Sequence, residues 1–329
     1  MSSTRKVALP AALRTSVRMR SNRDVRGNDW QVRRSMHEKE DRAGYALVAP
    51  TTILLSVFYL FPLAQTVVFS FTNWSPTDGR ELQFQGLDNF IGLFNPTNGF
   101  VAALGNTALI AAIVVPGSML LGLIFAALLD GPVRGRAFYR TMIFAPYIAP
   151  VVGSGLIFSY LLTPLGGLVN AALRPLGFPP VPFLTTEPWA IIAIIMFVIW
   201  QQVGYTMIIY AAALATIPPS YHEAAKLDGA GVVRRFFSIS LPLVTPISGF
   251  LVITGLINTM QIFTQVYVLT GGGPVGSTKT VVFWIYEQGF TFFNGGAATA
   301  ASVVLLLIGI VITVLQLKLL SSRDATEMV

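Results

Sequence analysis

Two groups of residues in this 329-residue sequence are typed and spaced for recognition rather than for bond-breaking. The first is Glu223, Ala224 and Ala225, followed by Gly229 and then by Ile239, Leu241 and Pro242. Ser220, three residues before Glu223, completes a capping box, and Gly229 suits the left-handed position that ends a helix. That spacing predicts a two-turn helix from about Tyr221 to Asp228. Adjacent alanines on a presented helix let another protein's backbone come close, which suits docking. The plainer alternative is that Glu223 only caps and that the alanines only favour the helix. The second group is Thr254, Asn258, Gln261 and Gln265, which fall on one stripe of a continuous helix. Gln201, Gln202 and Tyr205 belong with them, with Trp200 beside them. Amides both donate and accept, and aromatic rings cover apolar faces, so the set suits a hydroxyl-rich solute. Its alternative role is to hold helices together by hydrogen bonds.

Other chemistries find no residues. The sequence has no Cys and two His, His37 and His222, which excludes disulfides, a thiol nucleophile and a clustered metal site. Gly271 to Thr278 comes nearest to a phosphate-wrapping loop, yet Ser277 stands where such a loop needs Lys. Neither 189–215 nor 243–278 contains Asp, Glu, Lys, Arg or His, so a charged solute would meet no counter-ion there. An intramembrane enzyme lacks its carboxylate pair or His motif as well.

The elements that carry these groups are membrane spans. A hydrophobic content of 53% with 11% charged residues does not describe a soluble protein. Six mostly apolar runs are long enough to cross a bilayer, at about 44–72, 102–129, 137–163, 188–215, 242–269 and 297–320. Pro62, Pro116 and Pro146 lie inside them and predict kinks. The expected fold is therefore an all-α membrane protein with six transmembrane helices. Placing the N-terminus inside puts nineteen Lys and Arg on the cytoplasmic side and leaves only Arg80, Arg174 and Lys279 outside, so both termini are expected to be cytoplasmic. Most of the +7 net charge sits in 1–43, with eleven basic and five acidic residues. That segment reads as a disordered cytoplasmic tail without the apolar region of a signal peptide. A nucleic-acid role finds no aromatic interleaving there. The organisation expected is the tail 1–43, a transmembrane domain 44–320 with a cytoplasmic loop 217–242, and a short tail 321–329. Aromatic residues between 279 and 293 fit either a helix lying at the interface or a packed cap on the bundle.

The series Glu223-Ala224-Ala225, Gly229, Ile239 and Leu241-Pro242 resembles the EAA loop of bacterial ABC importer permeases at every defining position. Weaker likenesses extend from Tyr45 to about Leu320 and point to the carbohydrate-uptake branch. They are Gly86 to Phe90, Asn106-Thr107, Arg140-Thr141 with Pro146, and Thr270 to Pro274 with Thr278. The long basic tail has no counterpart in the family pattern. The resemblance implies a type I importer permease fold in the bacterial cytoplasmic membrane, with the EAA helix as the coupling element to separate ATPase subunits. It also implies the partners: a second homologous permease, two ATP-binding subunits that use ATP and Mg, and an extracytoplasmic solute-binding protein. No cofactor is expected on this chain, and its expected activity is transport rather than catalysis. A sugar or similar uncharged polyhydroxylated solute is the expected cargo. Glycerol 3-phosphate or a glycerophosphodiester is the first alternative. An ATP-independent secondary carrier is the second, and it offers no reason for the EAA loop.

Overall fold

The computed structural model describes residues 44–324 apart from 46, 78 and 80. The basic tail 1–43, Arg80 and the end of the C-terminal tail, 325–329, lie outside those residues. Contacts divide the chain after Ala64, and all packing discussed below belongs to the unit that begins at Gln65.

Helices make up most of the described structure, and the one β-bridge among the described residues pairs Thr72 with Phe84. The first apolar helix, α1, is Leu47–Phe69. Short α2 (Asp88–Leu93) leads into α3 (Phe100–Leu128), which carries Pro116 without breaking. Next come α4 (Arg136–Ile148), α5 (Val151–Leu162) and short α6 (Leu168–Leu173). The fourth apolar run is α7 (Trp189–Ala215), followed by α8 (Pro219–Leu227) and α9 (Val232–Met260). The chain closes with α10 (Thr264–Leu269), α11 (Val281–Tyr286) and α12 (Gly295–Asp324), which runs past the expected boundary at 320.

Five helices are single apolar rods long enough to span a membrane, and the expected third span is a bent pair, α4 and α5, meeting at 98°. The bend is at Pro150 rather than at Pro146, which sits inside α4. A residue before proline is pushed out of the helical region, and Ala149 has ψ 142°. Proline at 146 leaves its helix intact because helix-breaking residues are tolerated where neighbours satisfy the backbone. The fifth run also differs. It starts at Val232, ten residues earlier than expected, through a π turn at Phe236–Ser240, and it stops at Met260.

The core is built on α3 and α7, which run parallel. Ile110 and Val114 meet Ile194, Phe197 and Val198 near their starts, while Ala126 and Leu129 meet Met207, Tyr210 and Leu214 near their ends. Close approach at mid-height rests on missing side chains. Thr206 Oγ1 donates to the Ser118 carbonyl at 2.7 Å, and a Cβ at Gly122 would sit 2.8 Å from the Met207 nitrogen. A Cβ at Gly204 would strike the Ile143 carbonyl and lie 2.6 Å from Phe144 Cα, so this glycine lets α4 cross α7 backbone to backbone. A second layer packs Leu93, Phe100, Val281, Trp284 and the small residues Ala297, Ala300 and Ala301. Val281, Phe283 and Trp284 are buried, so the 279–293 segment is a packed cap over its first part, while Phe290 and Phe292 stay exposed.

The end of the bundle beyond the start of α3 is held by side-chain staples. Asn106 donates to the carbonyls of Gly276 (3.3 Å) and Lys279 (3.0 Å), and the Val281 N–H donates to Thr107 Oγ1 at 2.9 Å. Lys279 Nζ pairs with Glu287 at 2.6 Å. Asn170 both donates to and accepts from the backbone of Val181, closing the 164–187 connection.

Overpacking a glycine contact of this kind costs about 1–3 kcal/mol or more. Gly204→Val is therefore expected to lower the thermal midpoint of the purified complex by several degrees. Gly153→Ala, whose Cβ meets nothing within 4 Å, should leave it unchanged within error. Scanning both variants by intrinsic fluorescence checks this, and equal midpoints would remove the close-approach argument.

Candidate functional site

The helix expected around Glu223 is α8, but its start is not the capping box. The helix begins at Pro219 with Pro218 at the N-cap, and no side chain bonds the cap position. Ser220 lies inside the first turn. Proline at the first helical position needs no cap for an N–H it lacks, and its fixed φ already suits the helix, so the Ser220–Glu223 bonds are not required. The far end behaves as expected. Gly229 has φ +75°, its N–H donates to the Lys226 carbonyl at 3.0 Å, and the Ala230 N–H reaches the Ala225 carbonyl at 2.9 Å. These two bonds are a Schellman cap, which satisfies the last carbonyls and turns the chain sharply.

With its carboxylate no longer occupied by capping, Glu223 is exposed, as is Ala224, while Ala225 is half-buried. Leu227 is 91% exposed and Tyr221 55%, an apolar presentation on a short end helix that asks for a covering surface. Sequence reasoning missed both, although their spacing with Ala224 (three residues each way) marks one face. Ile239 and Leu241 are half-buried and Pro242 is exposed, all on α9 rather than on a loop. A cleft of about 220 Å³ brings Ala225 and Ile239 together with Asp228, Arg234, Arg235 and Ser238. The two halves of the EAA series thus share one wall at the end of the bundle where α7 finishes.

The polar stripe is not preserved as a stripe. At the end of α9 the Gln261 and Ile262 N–H groups bond back three residues, to Asn258 and Thr259, and Phe263 leaves the helical region at φ −131°, ψ −58°. The freed carbonyl of Ile262 accepts from Thr280 Oγ1 at 2.7 Å, which stabilises the break. Three destinations result. Thr254 and Asn258 line a narrow cleft with Gln202, Tyr205, Ser118, Thr206 and Tyr147. Gln265 donates to the buried Gln201 Oε1 at 3.4 Å and serves as an interhelical tie. Gln261 turns away into an apolar groove lined by α11 and α12 residues such as Ile285, Leu305 and Ile310. Trp200 packs with Phe158 and Phe197 instead of facing the cleft.

Tyr147 was not anticipated. Its ring stacks on Tyr205 at 5.1 Å and 21°, placed there by the Gly204 crossing and by the bend that follows it. The only hint in the sequence is its position between Pro146 and Pro150. Every polar group in this cleft is a neutral amide, hydroxyl or phenol. The enclosed space is about 10 Å³, room for roughly one water, so this chain alone does not enclose a solute.

Comparison with known proteins gives these positions a family. Residues 118–323 match the family described as binding-protein-dependent transport system inner membrane component. Over 281 residues the chain is 36% identical to the sn-glycerol-3-phosphate transport system permease protein UgpA of Salmonella choleraesuis, covering 85% of this chain and 94% of that one. It is 35% identical over 278 residues to the sulfoquinovosyl glycerol transport system permease protein SmoG of Agrobacterium fabrum, covering 84% and 90%. A chain from the crystal structure of a bacterial ABC transporter involved in the import of the acidic polysaccharide alginate superposes with a TM-score of 0.78 at 24% identity, over 88% of this chain and 99% of that one. A second, from the bacterial alginate ABC transporter in complex with an alginate pentasaccharide-bound periplasmic protein, gives 0.74 at 26% identity, over 84% and 93%. The chain belongs to the inner membrane components of binding-protein-dependent transport systems: it is a permease subunit of an ABC importer, working with a solute-binding protein and with ATPase subunits that hydrolyse the ATP.

Proposed function

We propose that this permease moves a sugar or similar uncharged, polyhydroxylated solute across the cytoplasmic membrane, with both termini on the cytoplasmic side. Solute contact falls to the cleft of Tyr147, Gln202, Tyr205, Thr254 and Asn258, and ATPase docking to α8. The observation that carries the solute class is the neutral lining of that cleft, where amides and hydroxyls match hydroxyl groups and no cation waits for an anion. Gln201, Gln261 and Gln265 take no part in solute contact in this reading. The small enclosed volume supports a second permease as the missing wall, and two ATPase subunits follow from one docking helix on each permease.

Docking by α8 rests on Glu223, Ala224 and Ala225 beside the exposed Leu227, with Gly229 setting the turn and Ile239, Leu241 and Pro242 anchoring the return into α9. ATPase closure pushes α8, and the spans joined to it tilt as rigid bodies between two states. Mg and ATP stay with the ATPases. The second reading, glycerol 3-phosphate or a diester, is favoured by the cargo named for the Salmonella relative. Its phosphate would find neutral donors but no cation in the cleft, so its charge would have to be balanced elsewhere.

The deciding experiment is ATPase activity of the reconstituted complex against binding protein loaded with a panel of sugars and glycerol phosphates. Stimulation by a sugar supports the first reading, and stimulation by a glycerol phosphate alone replaces it with the second. Within the cleft, Asn258→Ala and Tyr205→Ala are each expected to raise the half-saturating solute concentration roughly 2- to 10-fold, the range of one lost hydrogen bond, without loss of ATPase co-purification. Unchanged uptake kinetics in both would remove the cleft from the solute path. At the end helix, Gly229→Val forces a β-branched residue to φ +75°, and Glu223→Ala removes the exposed charge. Each is expected to cut ATPase co-purification about 5-fold or more, and normal co-purification with normal transport in both would mean that α8 is not the docking element.

A further inference from the structure

The turn between α3 and α4 carries two arginines that share a single carboxylate and that neither the cleft nor α8 uses. Arg136 and Arg140 are four residues apart on α4 and therefore share one helix face, an arrangement of like charges that is unfavourable by itself. Asp130 is the one carboxylate near them, 3.8 Å from Arg136. Nε of Arg136 and both Nε and Nη2 of Arg140 are buried from the surface yet meet no acceptor among the described residues. Guanidinium nitrogens removed from water without an acceptor are costly. Both side chains nevertheless stay only half-buried, Arg136 at 34% exposure, so a phosphate reaches their open edges, and a planar fork of this kind is matched by phosphate oxygens.

What surrounds the pair limits what can supply the oxygens. Phe138 and Met142, 66% and 62% exposed, lie on the next face of α4, and Tyr139 and the last residue of α3, Leu128, are exposed beside them. Leu129, which follows α3, packs against Leu214 near the end of α7, so this turn lies at the same end of the bundle as α8. Arginines backed by exposed aromatic and aliphatic side chains at the mouth of the spans meet both halves of a lipid, headgroup and acyl chain. A soluble acidic protein surface would answer the charge and leave the apolar skirt in water.

We infer that Arg136 and Arg140 form a binding site for the phosphate of an anionic phospholipid, with Phe138, Tyr139 and Met142 against its acyl chains. The site is independent of the solute reading.

The test is native mass spectrometry of the whole transporter complex titrated with phosphatidylglycerol or with phosphatidylcholine. At least one phosphatidylglycerol should be retained in preference to phosphatidylcholine. Arg136→Gln with Arg140→Gln should weaken that retention at least about 10-fold, each arginine contributing roughly 5-fold. Equal retention of the two lipids by the wild-type complex overturns the proposal without reference to any variant. So does unchanged phosphatidylglycerol binding in the Gln variant. Displacement of the lipid by inorganic phosphate at millimolar concentration would mean a free-phosphate site instead, and loss of the ATPase subunits in the Gln variant would mean that the arginines face a protein.

Discussion

Most of the buried polar geometry hangs on how closely α3, α4 and α7 approach one another. In a membrane, helices gain little from burying apolar surface against each other, because lipid is equally apolar. Association therefore depends on contact at short range, and here that range is set by Gly122 and Gly204. With α3 near enough, Thr206 bonds the Ser118 carbonyl. With α4 near enough, Tyr147 lies flat on Tyr205. The cleft is a by-product of these two approaches.

The same constraint explains why the cleft is lined as it is. Thr206 commits its one hydroxyl proton to backbone carbonyls, at 2.7 Å to Ser118 and 3.0 Å to Val203, and so has no donor left for a solute. Gln201 is tied to Gln265. The groups not committed to holding helices together are those of Gln202, Tyr205 and Asn258, with Tyr147 from the bend and Thr254, whose hydroxyl bonds only carbonyls of its own helix. The division between polar groups that hold the protein and polar groups that can serve a cargo thus follows from distances between backbones. Residue type alone does not make it.

How much could be read beforehand follows the same line. The spans were legible because their signal is local and summed over many residues, and α8 was legible because Gly229 marks a turn that few other residues permit. The resemblance of the EAA series made the family readable, and the comparisons agree. What could not be read depends on neighbours far away in sequence. The stripe from Thr254 to Gln265 assumes an unbroken helix, whereas Thr280 satisfies the Ile262 carbonyl and allows the break. Pro146 and Pro150 look alike in a string of letters, and only the second stands where α4 must turn by 98°. Ser220 and Glu223 match a capping box, but Pro218 and Pro219 begin the helix without it.

One feature of α9 bears on timing as well as on shape. It is a continuous 29-residue rod, and the break falls just beyond Asn258. Leu241 and Asn258 are therefore separated by about 26 Å of helix, and any tilt about its middle swings them in opposite senses. In the proposed tilt between two states such a see-saw carries a displacement at Leu241 to Asn258 in one movement, and Pro246, which lies between them, is the place where it can flex. Gln261 and Gln265, past the break, sit on the ground beside it and need not follow.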